Sequence, residues 1–182
     1  MRVFRVVEIE KLSDAEVNDF FLRAFKKVNI QVEESAMKTM VKFSSGLPTI
    51  MHEIGDAVFW IDNDGIVKDI DVGRGIVAAA ENIGKKYLDP LVYRAIRSEK
   101  YRSILRKLGD SAKTRFKKKD IAAKLSAEEM GVFDNFLRVM RDRGVIMVDQ
   151  EFERGTYKFV NDIYPVYILL ENLEHQHRLK AK

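Results

Sequence analysis

Apolar residues along the chain follow two spacings. Over residues 2–9 they alternate weakly, in a stretch rich in Val, Phe and Ile, which predicts one strand. A lone strand is unstable, so this one needs a partner elsewhere. Beyond it the period lengthens to three and four. Ser13 with Glu16 forms a capping box, Asp14 suits a first turn, and Val17, Phe20, Phe21, Ala24, Phe25 and Val28 mark the inner face of a helix. Residues 32–44 predict a second helix with Ala36, Met37, Met40, Val41 and Phe43 inward. A third, over 47–62, opens at Ser45-Gly46-Leu47-Pro48 and carries Ile50, Ile54, Ala57, Val58 and Ile61 at helical spacing, with the only Trp, Trp60, near its end. Pro fits a first turn because its missing N–H would be unpaired there. Such a helix start also offers free N–H groups and a positive dipole end, which suits an anion. A fourth helix leads from Asp71-Val72-Gly73 through Ile76, Val77, Ala80, Ile83 and Tyr87 and is expected to end before Asp89-Pro90.

The second half reads differently. Pro90 to Leu108 predicts a helix, Gly109-Asp110-Ser111 a stop, Arg115-Phe116 a short extended piece, and Lys117 to Leu125 a short helix. Ser126 with Glu129 is a second capping box, opening a helix that buries Met130, Phe133, Phe136, Leu137 and Met140 and stops at Gly144. Residues 145–148 and 156–160 flank a polar loop ending in Gly155 and predict a β-hairpin, and a last amphipathic helix runs from about Ile163 to Leu179. Helix, strand, helix, helix and hairpin is the order of a winged helix-turn-helix, a motif that places a helix in the DNA major groove. The expected fold is therefore mainly α with a small β-hairpin. It divides into a strand at 1–10, a four-helix unit at 11–89 and a winged-helix domain at 90–182.

Charge sharpens that division. The net charge is −3 over residues 1–89 and +7 over 90–182, within a total of +4. Between Arg94 and Lys119 eleven Lys and Arg face two acids, Glu99 and Asp110. A basic module suggests a polyanionic partner, here duplex DNA. Candidate base-reading residues are Asn135, Arg138 and Arg141, with Asp142, on the exposed face of the 126–143 helix. Glu128, Glu129 and Asp134 make the start of that helix acidic, which counts against deep groove insertion. Phosphate contacts from Arg115, Lys117, Lys118 and Lys119, with Arg154 and Lys158 on the wing, fit better and imply salt-dependent, weakly specific binding.

Much chemistry is missing from this sequence. With no cysteine there is neither a disulfide nor a thiolate metal site. No Gly-x-x-x-x-Gly-Lys-[Ser/Thr], His-Glu-x-x-His or Gly-x-Ser-x-Gly occurs. Asp62-Asn63-Asp64-Gly65 resembles the start of a calcium loop, but Gly73 stands where the bidentate Glu belongs. His52 reads as a hydrogen-bonded structural residue, and His175 and His177 point to different sides of a helix. The start of the chain is too short and charged for a secretory signal, and no apolar run is long enough to cross a membrane, so a cytoplasmic location is expected.

Three phrases carry a resemblance. Glu8-Ile9-Glu10-Lys11-Leu12-Ser13-Asp14-Ala15-Glu16-Val17, the Gly46-Leu47-Pro48 helix with Ile54-Gly55-Asp56-Ala57, and Phe159-Val160-Asn161 before the last helix resemble the C-terminal half of an archaeal AAA+ ATPase related to replication initiators. The resemblance implies that strand 2–9 closes a nucleotide-binding core, that the four helices form the lid over the nucleotide, and that the winged helix binds DNA. In that family an Arg often follows Gly-x-Pro and reaches the γ-phosphate; here Thr49 occupies the position. Gly46, Leu47, Pro48, Thr49 and Ile50 are then nucleotide-facing candidates, Gly46, Leu47, Pro48 and Ile50 as packing contacts to an adenine base. The phosphate loop belongs upstream, so this chain is expected to hold no cofactor and no catalytic residue, with ATP and Mg²⁺ confined to a full-length parent. Two rivals remain. One is a protein-interaction or oligomerisation module, motivated by Tyr164, Tyr167 and Leu170 on the last helix. The other is a winged-helix transcription regulator with the helical unit as its sensor.

Overall fold

The computed structural model describes residues 10–180, so the strand predicted over 2–9 lies outside the described residues. The capping box builds α1 (Asp14–Lys27) as expected: Ser13 Oγ accepts the Glu16 N–H, while Glu16 Oε2 takes the Ser13 N–H at 2.8 Å. After it come β1 (Gln31–Val32), α2 (Glu34–Ser44), α3 (Pro48–Ile61), β2 (Ile66–Val67) and α4 (Asp69–Ile83). β1 and β2 pair in parallel. The Asp62–Gly65 turn spends its carboxylates locally: Asp62 accepts the Gly65 N–H, and Asp64 accepts the Ile66 N–H and pairs with Lys68 at 2.5 Å.

The largest departure from expectation follows α4. The chain does not stop before Asp89-Pro90. It widens into a π-helical stretch, Gly84–Tyr93, and passes through Pro90. Pro has no N–H to offer and its ring crowds the preceding turn, and a widened turn accommodates both. The helix predicted from Pro90 to Leu108 is accordingly two pieces, with a connector from Arg94 to Ser98 before α5 (Glu99–Gly109), which Ser98 caps. The boundary expected at Asp89-Pro90 falls inside a helical run. One apolar cluster also spans both halves, from Phe21, Met40 and Ile54 to Phe133, Phe136 and Tyr167.

The remaining elements are β3 (Arg115–Lys117), α6 (Lys118–Ala122), α7 (Ala127–Asp142), β4 (Ile146–Val148), β5 (Thr156–Phe159) and α8 (Ile163–Lys180). β4 and β5 form the expected hairpin, and β3 joins it to make an antiparallel sheet of order β3-β5-β4, with Phe116 opposite Tyr157 and Met147 opposite Lys158. The α8 helix is seated against α4 and α5 by small residues. A Cβ on Gly84 would lie 2.1 Å from the Tyr167 ring, and one on Gly109 would lie 2.2 Å from Ile168 Cγ2. Several residues assigned inward by periodicity face out instead: Ala24, Val28, Val77 and Met130 are exposed. In each case the helix buries a narrower stripe than the apolar pattern suggests.

Candidate nucleic-acid interface

The basic residues singled out in the sequence sit on β3, α6, α7 and the hairpin, and a buried carboxylate organises several of them. Asp149 follows β4, is 2% exposed, and hydrogen-bonds the Arg115 guanidinium across the sheet. Lys158 approaches its other oxygen at 3.4 Å. Burial pushes the Asp149 carboxyl up, but the Arg115 hydrogen bond and the charges of Lys158 and Arg115 outweigh it and hold the group below its usual range. Arg115 is also stacked over the exposed Phe152 ring, 3.7 Å from its centroid. Sequence reasoning missed Asp149. Its only signal was an acid directly after an apolar strand run, one of three in the hairpin loop.

Other cations are similarly engaged. Lys117 pairs with Glu153, and Lys118 pairs with Asp134. On α7, Asn135 donates to the Tyr101 hydroxyl and accepts from Arg138 at 2.6 Å, while Arg138 reaches Asp142 at 3.2 Å. Of the cations in the candidate set, Lys119, Arg141 and Arg154 have no ion-pair partner among the described residues, and Lys113 and Lys124, which sequence reasoning passed over, share that property. Lys113 and Lys124 line a cleft of about 540 Å³ between the end of α5, β3, α6 and the hairpin. Leu108, Phe116 and Ile121 give it an apolar wall, and Thr156 lines it as well, its Oγ1 buried without a partner. The start of α7 is acidic as expected, but Glu129 is committed inward. It accepts from Lys107 at 2.5 Å and from the Ser126 N–H at 2.7 Å, which, led by the Lys107 bond, holds its carboxyl down to about 2.

The α3 start lies apart from this surface. Gly46 has φ +67°, and a Cβ there would lie 2.4 Å from the Leu12 carbonyl oxygen, so glycine is required. Its own carbonyl accepts the Leu12 N–H at 2.9 Å. Leu47 is half-buried and Ile50 buried, and Pro48 and Thr49 are exposed. No side chain caps the helix, leaving its first N–H groups toward solvent. These five residues are together, but the clefts described here are lined by none of them. Ser45 links this turn to the other half, its Oγ accepting the Asp162 N–H at 3.0 Å.

Other expectations change. His52 is exposed and meets the Phe20 ring edge-on at 5.0 Å, so an aromatic contact replaces the hydrogen bond expected of it. No group of three or more His, Asp or Glu among the described residues could hold a metal ion. Tyr164 and Tyr167 are 8% and 2% exposed, and Leu170 is half-buried, so the three residues offered as an outer contact face on α8 belong to the interior. No helix among the described residues is long and apolar enough to cross a membrane.

No family model matches the chain, and no curated protein does. Its class is legible from the coordinates: a mainly helical protein with small strands, similar in fold to part of a Walker-type ATPase. The solved structure concerned is the Walker-type ATPase of Pyrococcus abyssi, an archaeal protein, with a TM-score of 0.60 and 19% identity over 87% of this chain. The chain spans 42% of that protein's length. At that identity the likeness is one of fold.

Proposed function

We propose that this chain is the lid and winged-helix portion of an AAA+ type ATPase, that it binds duplex DNA through its basic half, and that it does not hydrolyse ATP by itself. The observation that carries the reading is the β3-β5-β4 sheet following α5 and enclosing α6 and α7, with unpaired cations gathered around it. This order matches a winged helix, with the β4–β5 hairpin as wing. Binding works through phosphates. Lys113, Lys119, Lys124 and Arg154 make no ion pair among the described residues, whereas Lys117 and Lys118 are paired with Glu153 and Asp134. Arg138 and Asn135 hold each other on α7, which leaves Arg141 as the freer contact there. The sequence has no phosphate-loop motif, so on this reading ATP and Mg²⁺ would be held by a full-length parent. There Gly46, Leu47, Pro48, Thr49 and Ile50 would face the nucleotide.

A gel-shift titration tests this. Duplex DNA should bind at low salt, with affinity falling steeply as salt rises. Reversing Lys113, Lys119, Lys124 and Arg154 to Glu should cost at least about tenfold in affinity, more than reversing Lys117 and Lys118. Absence of duplex binding at low salt, or equal loss from the two sets, would overturn the reading.

A further inference from the structure

A second cleft, remote in sequence from the wing, is bounded by the π-helical stretch, α5 and α8, and has a volume of about 380 Å³. Its walls are polar and apolar in about equal part. Arg102, Arg106, Asn172, His175 and Arg178 line it together with two carboxylates, Glu99 and Glu171, and Tyr93, the last residue of the π-helical stretch, contributes its phenol.

Most of these groups have partners, and the exceptions define what is missing. Arg102 is fixed, its Nε donating to the Ile96 carbonyl at 3.1 Å, Nη2 to the Tyr93 carbonyl at 3.3 Å and Nη1 to Glu99 at 3.2 Å. Arg178 pairs with Glu174 at 2.9 Å. Arg106 has no ion-pair partner among the described residues. Asn172 is 4% exposed. Its Nδ2 donates to the Arg106 carbonyl at 2.8 Å, which fixes the amide's orientation, yet its Oδ1 is buried without a donor. The Tyr93 hydroxyl is buried and unpartnered too. Buried polar atoms without partners are uncommon in folded proteins and costly, and two of them belong to residues in the wall of one cleft, beside an unpaired guanidinium. Neighbouring Tyr167 has a partner, donating to Asp89 at 2.6 Å. Burial and then the Glu174 carboxylate hold the Glu171 carboxyl, in the cleft wall, above its usual range. π-helical segments also recur at functional sites.

We infer that this cleft binds a small anion carrying an O–H or N–H donor next to its charged group, with Arg106 taking the anion and the Asn172 carbonyl and Tyr93 hydroxyl taking the donor. The guanidinium offers a planar pair of N–H groups that fits a carboxylate or phosphate. The unpaired Asn172 acceptor demands a donor, which a simple anion lacks. Hydroxy acids and amino acids both satisfy this description, and the position of the donor relative to the anion is their shared chemistry.

Three small probes separate the contributions: acetate has the anion alone, glycolate adds a hydroxyl and glycine adds an ammonium. Each is titrated into the isotopically labelled full chain at neutral pH, and side-chain amide and backbone resonances are followed by NMR. Glycolate or glycine should give saturable shifts at the Asn172 side-chain amide and near Tyr93, about tenfold tighter than acetate. Whichever of the two is preferred identifies the donor. Arg106→Gln, at a half-buried side chain, should abolish binding of all three, and Asn172→Leu should bring the preferred probe down to the level of acetate. The inference fails if no probe gives saturable shifts, if the three bind alike, or if Arg106→Gln leaves the shifts unchanged. None of these outcomes depends on DNA binding.

Discussion

Replacing Glu129 with Gln isolates the charge that ties α5 to α7. The wild-type carboxylate accepts from Lys107 at 2.5 Å and from the Ser126 N–H at 2.7 Å, and its side chain is 8% exposed. Gln keeps the shape and one acceptor but gives up the charge. Glu129 titrates at about 2 in the folded protein against 4.5 for the free side chain, a difference equivalent to about 3 kcal/mol. Lys107 remains 29% exposed, and solvent screening reduces the net effect to about 1–2 kcal/mol. The sign follows from the depressed value. The contribution is complete above about 4.5, drains away as the pH falls, and is gone below about 2. Urea unfolding followed by circular dichroism should therefore show Glu129→Gln about 1–2 kcal/mol less stable near neutral pH, a melting shift of about 3–6 °C, with the gap closing toward pH 2. A gap below about 0.5 kcal/mol at neutral pH, or one unchanged in acid, would refute the assignment of stability to this charge.

Glycines supply three further predictions. Gly46→Ala forces a side chain onto a positive φ against the Leu12 carbonyl and should cost about 2 kcal/mol or more, read as a loss of thermal stability. Gly84→Ala should be at least as damaging because its Cβ would enter the Tyr167 ring, while Gly131→Ala, in α7 with nothing within 4 Å, should stabilise by about 0.5–1 kcal/mol in the same melting assay.

The local devices of the fold were readable in advance, because they act within one turn of chain. Ser13 with Glu16 and Ser126 with Glu129 announced α1 and α7, and Pro48 announced α3. The π-helical stretch was not readable: Asp89-Pro90 looks like an end unless the widened turn that carries Pro90 and the packing of Tyr167 over Gly84 at its start are known. The candidate interface was half legible. Composition pointed to the basic half, but which cations are free depends on carboxylates far along the chain, such as Asp149 for Arg115 and Asp134 for Lys118. Lys113 and Lys124 gain importance only from that accounting. The polar cleft beside Tyr93 was invisible, since its groups come from three separated segments.

The turn before α3 has a mechanical meaning. Leu12 is fastened to Gly46, Ser45 to Asp162, and the Lys11 ammonium to the Val160 carbonyl at 3.1 Å, so the chain entering α1 is stitched to the α2–α3 turn and to the start of α8 together. The segment is then a rivet rather than a tether, held at once by the helical half and by the sheet-bearing half.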